Sequence, residues 1–137
     1  MYSELLVPVD HGVKSNKVAL QEAAEIASES DGRVHLLFVY PVYAPDPTGS
    51  FEDQTGTPTA ITHAIDFLDE YDIDVLATTV TGTTVDEICA YAAENDIDAI
   101  SMATYGRTGF QRLAFGSTTE DTIRQAPCPV IAVTDDQ

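Results

Sequence analysis

Met102-Ala103-Thr104-Tyr105-Gly106-Arg107-Thr108-Gly109, running on to Phe115-Gly116-Ser117-Thr118, decides how this chain is read. It follows a short apolar run, Ala99 to Met102, that has the length of a buried strand, and it stops where a helix can begin. Glycines let backbone N–H groups come close to a ligand, and a helix start adds unpaired N–H donors and the positive end of a dipole. A strand, a glycine-rich turn and a helix in that order make a phosphate site.

The same alternation recurs on both sides of this stretch. Leu5 to Val9 reads as a first strand, ended by Asp10-His11-Gly12, and a helix over about 15–30 presents Ala19, Ala23, Ile26 and Ala27 on one face before Asp31-Gly32 closes it. Val34 to Val39 is a second apolar strand, and 41–57, rich in proline, glycine and polar residues, is a loop. Thr57-Pro58 has the form of an N-cap followed by proline at the first helical position, and Ile61, Ala64, Ile65 and Leu68 follow at helical spacing. A third strand covers about 74–80. Thr84-Val85-Asp86-Glu87 has the pattern of a capping box, opening a helix expected to bury Val85, Ile88, Cys89 and Ala92. Ala99 to Ala103 is the fourth strand, Ser117-Thr118-Thr119-Glu120 a second capping box, and Val130 to Val133 the last strand. Continuous apolar strands alternating with amphipathic helices predict an α/β fold: a five-stranded, doubly wound parallel sheet with helices on both faces.

Composition sets limits on partners. The chain has 137 residues, which predicts one domain, 1–137, and a 44% apolar content typical of a globular core. Six Lys and Arg stand against 23 Asp and Glu, a net charge of −17. That surface argues against nucleic acid and anionic membranes. Because the acids are spread along the whole chain, the preferred reading is a strongly hydrated protein from a salt-rich cytoplasm, with an acidic patch for a basic partner as the alternative. No membrane span or signal-peptide pattern is visible, so a cytoplasmic location is expected. Cys89 and Cys128 have no metal-like spacing and are expected to be reduced. His11, His35 and His63 are dispersed, the last two read as structural, and no Ser-His-Asp pattern or other catalytic apparatus appears.

In doubly wound sheets ligands bind beyond the carboxyl ends of the strands, where strand order reverses. If strand one is central with strand four beside it, the loops 10–17 and 103–117 meet there. Lys14 and Lys17 fall in or just after the first loop, Arg107 and Arg112 in the second, so four of the six cations flank one expected crevice, although Lys17 can instead face solvent. A phosphorelay receiver has a similar plan, but Thr78-Thr79-Val80-Thr81 offers no phosphoacceptor Asp after the third strand.

Leu6-Val7-Pro8-Val9-Asp10, Leu36-Leu37-Phe38-Val39, Ile100 through Gly109, and Gly116-Ser117 through Ala126-Pro127-Cys128-Pro129-Val130 together resemble the universal stress protein family over nearly the whole chain. The resemblance implies a Rossmann-like sheet of the adenine nucleotide alpha hydrolase type, strand order 3-2-1-4-5. The ATP-binding branch of that family carries glycine, two residues, glycine, nine residues, then glycine with Ser or Thr. Here Ala103 stands at the first glycine, while Gly106, Gly116 and Ser117 keep the rest at full spacing. By the resemblance Asp10 contacts the adenosine, and Pro8, Val9 and Val39 line the adenine pocket. Met102 and Ala103 lie beside the sugar, and Gly106, Gly116, Ser117 and Thr118 hold the phosphates. Arg107 and Arg112 are added from charge placement. The implied ligand is ATP, with or without Mg²⁺, and the implied role is a stress-response sensor or regulator. A homodimer through Val130–Val133 is implied as well, and an apolar edge strand there makes it physically sensible. The alternatives are a dimeric interaction protein that has lost ATP, which Ala103 favours, and a slow ATPase.

Overall fold

The computed structural model describes residues 2–10, 13–41, 56–104 and 116–134, with the side chains of 13–15, 41, 104, 116 and 117 outside that description. Five strands and four helices alternate: β1 Glu4–Pro8, α1 Val13–Ser30, β2 Arg33–Pro41, α2 Thr59–Leu68, β3 Asp74–Gly82, α3 Thr84–Glu94, β4 Ala99–Thr104, α4 Gly116–Gln125 and β5 Val130–Thr134. All strand pairs are parallel and the order is β3-β2-β1-β4-β5, the doubly wound arrangement expected.

Alternation along each strand sorts the core into two layers. Leu5, Val7, Val9, Val34, Leu36 and Phe38 face α1 and α2, where Ala19, Leu20, Ala23, Ala24, Ala27, Ala60, Ile61, Ala64 and Leu68 complete one cluster. Leu6, Leu37, Ile100 and Met102 face the other way, against Ile88, Tyr91, Ala92 and Ile97. The inner strands bury both faces, which is why they read as unbroken apolar runs. Alanine dominates the buried stripe of α1, so that helix packs close to the sheet, and the buried Ser101 hydroxyl donates to the Ala19 carbonyl at 2.8 Å.

Several local expectations shift. Pro58, at φ −55° and ψ 132°, is itself the residue preceding α2, so Thr57 is not its cap and Pro58 is not its first helical residue. Thr83 rather than Thr84 precedes α3, with no side-chain cap bond, so the capping box expected at Thr84 does not form. Helix α4 already includes Gly116, which puts Ser117 inside it; Glu120 pairs with Arg124 at 3.3 Å instead of closing a box. On α2, Ile65 is 43% exposed although its periodic neighbours are buried. On α3, Tyr91 takes the buried place expected of Val85 and Cys89, both half-buried. A stripe at i, i+3, i+4, i+7 is wider than the line of contact with a twisted sheet, and its margins are left outside.

Two helices end in the same way. Asp31 (φ 56°) and Asp96 (φ 51°) take left-handed backbone, and the next residues, Gly32 and Ile97, donate N–H back to Ala27 and Ala92 at 2.8 and 3.0 Å. This is a Schellman closure with aspartate in the place glycine usually holds. Gly32 is needed for a different reason, since a Cβ there would collide with the Ser3 carbonyl.

Asp98 ties the amino ends of β1 and β4. Its Oδ2 accepts from Ser3 N–H (3.0 Å), Glu4 N–H (2.9 Å) and the Ser3 hydroxyl (3.3 Å). The Glu4 and Ser3 N–H groups hold the carboxyl below its usual range, since they bind the charged form. A depressed folded value adds stability above about pH 4, the unfolded value, and that contribution is lost as pH falls through the folded one. Asp98→Asn should therefore lower the urea midpoint at pH 7, and its deficit against the parent should shrink as pH drops below about 4.

Candidate functional site

Strand β1 is shorter than its neighbours, and the site is where it stops. Pro8 pairs with Leu37, while β2 runs on through Phe38, Val39, Tyr40 and Pro41 beside β3. On the other side β4 continues to Thr104 beside β5. The carboxyl end of β1 is thus the floor of a notch, in the place where the chain has crossed from β3 at one edge to β4 beyond β1.

A pocket of about 200 Å³ occupies this notch. Pro8, Val9 and Asp10 enter it from the end of β1, and Leu37, Phe38 and Val39 from β2. Met102 comes from β4, Thr84 and Ile88 from α3, and Thr118 from the first turn of α4. Val9, Ile88, Met102 and Phe38 are buried and make apolar walls. Exposed Asp10 and Thr118 and half-buried Thr84 put a carboxylate and two hydroxyls at the lip. Apolar walls with a few convergent polar groups suit a flat heteroaromatic ring carrying a hydroxylated substituent.

Six of the expected site residues therefore meet in one pocket: Pro8, Val9, Asp10, Val39, Met102 and Thr118. Ala103 is not part of the lining; its carbonyl accepts a bond from the buried Thr119 hydroxyl at 3.2 Å, which fastens β4 to α4. Gly116 and Ser117 open α4, beside Thr118, but their side chains lie outside the description. Gly106, Arg107 and Arg112 lie outside the described residues, as do His11, Gly12 and the Lys14 side chain. Lys17 does not belong to this pocket. It is exposed and borders a second cavity of about 400 Å³ between α1 and α2, with His63, Asp66 and Phe67.

Leu37, Phe38, Thr84 and Ile88 join the site without having been singled out by the sequence. Leu37 and Phe38 are visible there as part of an apolar strand, and Ile88 as part of a helix stripe. Nothing in the sequence marks those positions as opening on a pocket, because that depends on where the neighbouring strand ends.

Among the described residues, the other titratable groups of note lie away from this pocket. His35 is buried under α3, its Nδ1 2.8 Å from the Tyr91 hydroxyl and its Nε2 2.7 Å from Glu4 Oε1. It stands four residues, about 13 Å, along β2 from Val39. This matches a structural histidine. His63 differs: it is exposed on α2. Burial, then the nearby Asp86, pushes the Cys89 thiol up, and burial, then Cys89 and Asp98, does the same to Cys128. Raised thiols stay protonated at neutral pH and make poor nucleophiles. Among the described residues no group of three His, Cys, Asp or Glu side chains is set to hold a metal, and no helix is long and apolar enough to cross a membrane.

The Thr119 bond to Ala103 is the joint between β4, one wall of the notch, and α4. Thr119→Val keeps the shape, removes the donor, and should cost about 1 kcal/mol in chemical denaturation.

Comparison with known proteins agrees with the fold. A universal stress protein of Methanocaldococcus jannaschii is 28% identical over 142 residues, covering 97% of this chain and 82% of that protein. The universal stress protein structure from Archaeoglobus fulgidus superposes with a TM-score of 0.79 at 24% identity, covering 97% of this chain and 99% of the other. A structure of the Archaeoglobus fulgidus universal stress protein in complex with dAMP superposes with a TM-score of 0.76 at 22% identity, covering 96% and 98%. At those identities the two structures establish the shared fold. The model of the universal stress protein family matches residues 1–134, and the chain belongs to that family.

Proposed function

We propose that this chain is a single-domain universal stress protein that binds an adenine nucleotide, ATP in particular, and acts as a dimeric regulator in a stress response. One observation carries the reading: the end of β1, the overrun of β2, and β4 and α4 bring Pro8, Val9, Asp10, Val39, Met102 and Thr118 to one pocket. The structural relative in complex with dAMP supports the same ligand class. A volume of about 200 Å³ is below the roughly 300–1,000 Å³ typical of whole-ligand sites, so the pocket takes the adenosine part. The phosphates then run toward the start of α4, where the Gly116, Ser117 and Thr118 N–H groups open the helix. Any Mg²⁺ arrives with the phosphates, held by their oxygens.

Ala103 favours a second reading, a dimer that has lost the nucleotide. Two observations weigh against it. Among the described non-glycine residues positive φ occurs only at Asp31 and Asp96, so Ala103 has ordinary strand backbone that a methyl group does not strain. Its side chain is also not among those lining the pocket.

Protein purified without added nucleotide, denatured and analysed by mass spectrometry should release stoichiometric adenine nucleotide, ATP foremost. Asp10→Ala should weaken ATP binding by about tenfold. A blank preparation whose melting temperature does not move with Mg-ATP would establish the non-binding dimer instead.

The dimer uses β5, an edge strand whose Val130, Ile131 and Val133 are half-buried in the isolated chain. With −17 on each chain, the pairing and the fold both depend on screening, as in a protein of a salt-rich cytoplasm. Sedimentation in molar salt should give the mass of two chains. Dilution to low salt should lower both that mass and the melting temperature.

A further inference from the structure

Asn16 sits in the first turn of α1 and is only 9% exposed. Its side-chain amide grips both backbone groups of a single residue. The Asp10 N–H donates to Asn16 Oδ1 at 3.3 Å, and Asn16 Nδ2 donates to the Asp10 carbonyl at 2.7 Å. Asp10 lies two residues beyond the end of β1, where the chain has left the sheet, and it is an exposed member of the pocket lining.

Two bonds to one residue's N–H and C=O constrain its φ and ψ together, and with them the direction in which its Cα–Cβ bond leaves the chain. The amide suits this role because it offers a donor and an acceptor in one plane. An aspartate of the same shape has no donor when ionised, and a single hydroxyl is too short to span both groups. Asn is also an indifferent helix former, since its amide competes for backbone partners. Here that competition is turned to a use, because the backbone it captures belongs to the pocket and not to the helix.

We propose that Asn16 is a positioning residue for nucleotide binding: it fixes the backbone of Asp10 so that the carboxylate meets the sugar hydroxyls of the ligand. This rests on the adenine-nucleotide reading of the pocket and adds a residue outside the pocket lining to its machinery. A preset carboxylate gives up little freedom when the ligand arrives, which is where the affinity comes from.

A double-mutant cycle tests it, with isothermal titration of adenosine and of ATP against the parent, Asn16→Ala, Asp10→Ala and the double variant. Asn16→Ala should weaken adenosine about tenfold, and ATP by the same factor, because Asp10 meets the sugar and not the phosphates. In the Asp10→Ala background the same substitution should change affinity by less than about twofold. Asn16→Asp keeps the shape and the acceptor and loses the donor; it should fold like the parent and still weaken adenosine, an uncharged probe, and it replaces Asn16→Ala in the cycle if that variant does not fold. Losses that simply add in the double variant, or parent-like affinity in both Asn16 variants, would overturn the assignment while leaving the nucleotide reading intact. A parent protein that binds neither adenosine nor ATP would overturn both.

Discussion

Everything at the candidate site depends on one mismatch of lengths. The central strand β1 is five residues long, while β2 beside it has nine, and β4 on the other side belongs to the half of the sheet that grows the opposite way. Parallel strands need long crossovers, and the crossover from β3 to β4 passes over the strands already laid down. Strand β1 therefore gains a different neighbour on each side, and the helices that follow β1 and β4 leave in opposite directions. The notch between them is a consequence of winding the sheet both ways. Its floor is the end of β1 and its walls are whatever β2, α3 and β4 present there.

The two ends of the sheet are held by different means. At the amino ends, Asp98 gathers the first backbone N–H groups of β1. At the carboxyl ends the strands are fastened by side chains from the helices that follow them: Asn16 of α1 to Asp10, and Thr119 of α4 to Ala103. A ladder hydrogen bond would also hold Asp10, which lies beyond β1, but it would fill the notch with another strand. Using side chains keeps the strand ends in place and leaves the space above them open. The arrangement also spares cations, of which this chain has six.

Much of this is legible in the sequence, and the failures share one cause. The five strands, their parallel sheet and the placement of the site follow from apolar runs of strand length alternating with helical stripes, and those signals are local. The errors lie where a neighbour decides. Ile65 continues the apolar period of α2 but lies past the margin of its contact with the sheet. Tyr91 is buried although its ring is amphipathic, because His35 beneath it offers its hydroxyl a partner at 2.8 Å. Thr84 has the pattern of a cap and is instead a pocket residue, since the helix begins one position earlier than that pattern suggests and Thr83 carries the extended backbone. The first two of these outcomes are decided by residues more than one helix turn away.

Ala103 is a local departure from the glycine pattern at a position that the sheet itself holds. A glycine pattern is informative because it marks positions where a Cβ would strain the backbone or obstruct a ligand. At position 103 the first condition does not hold: the residue belongs to β4, paired with Val133 of β5, its carbonyl is engaged by Thr119, and it is not among the described residues of positive φ. The strand continues one residue beyond it, to Thr104. So the backbone at position 103 does not call for glycine, while Gly106 and Gly116 keep their spacing in the sequence. The sequence motif counts glycines, whereas a backbone calls for one only where φ is positive or a Cβ would collide with a neighbour.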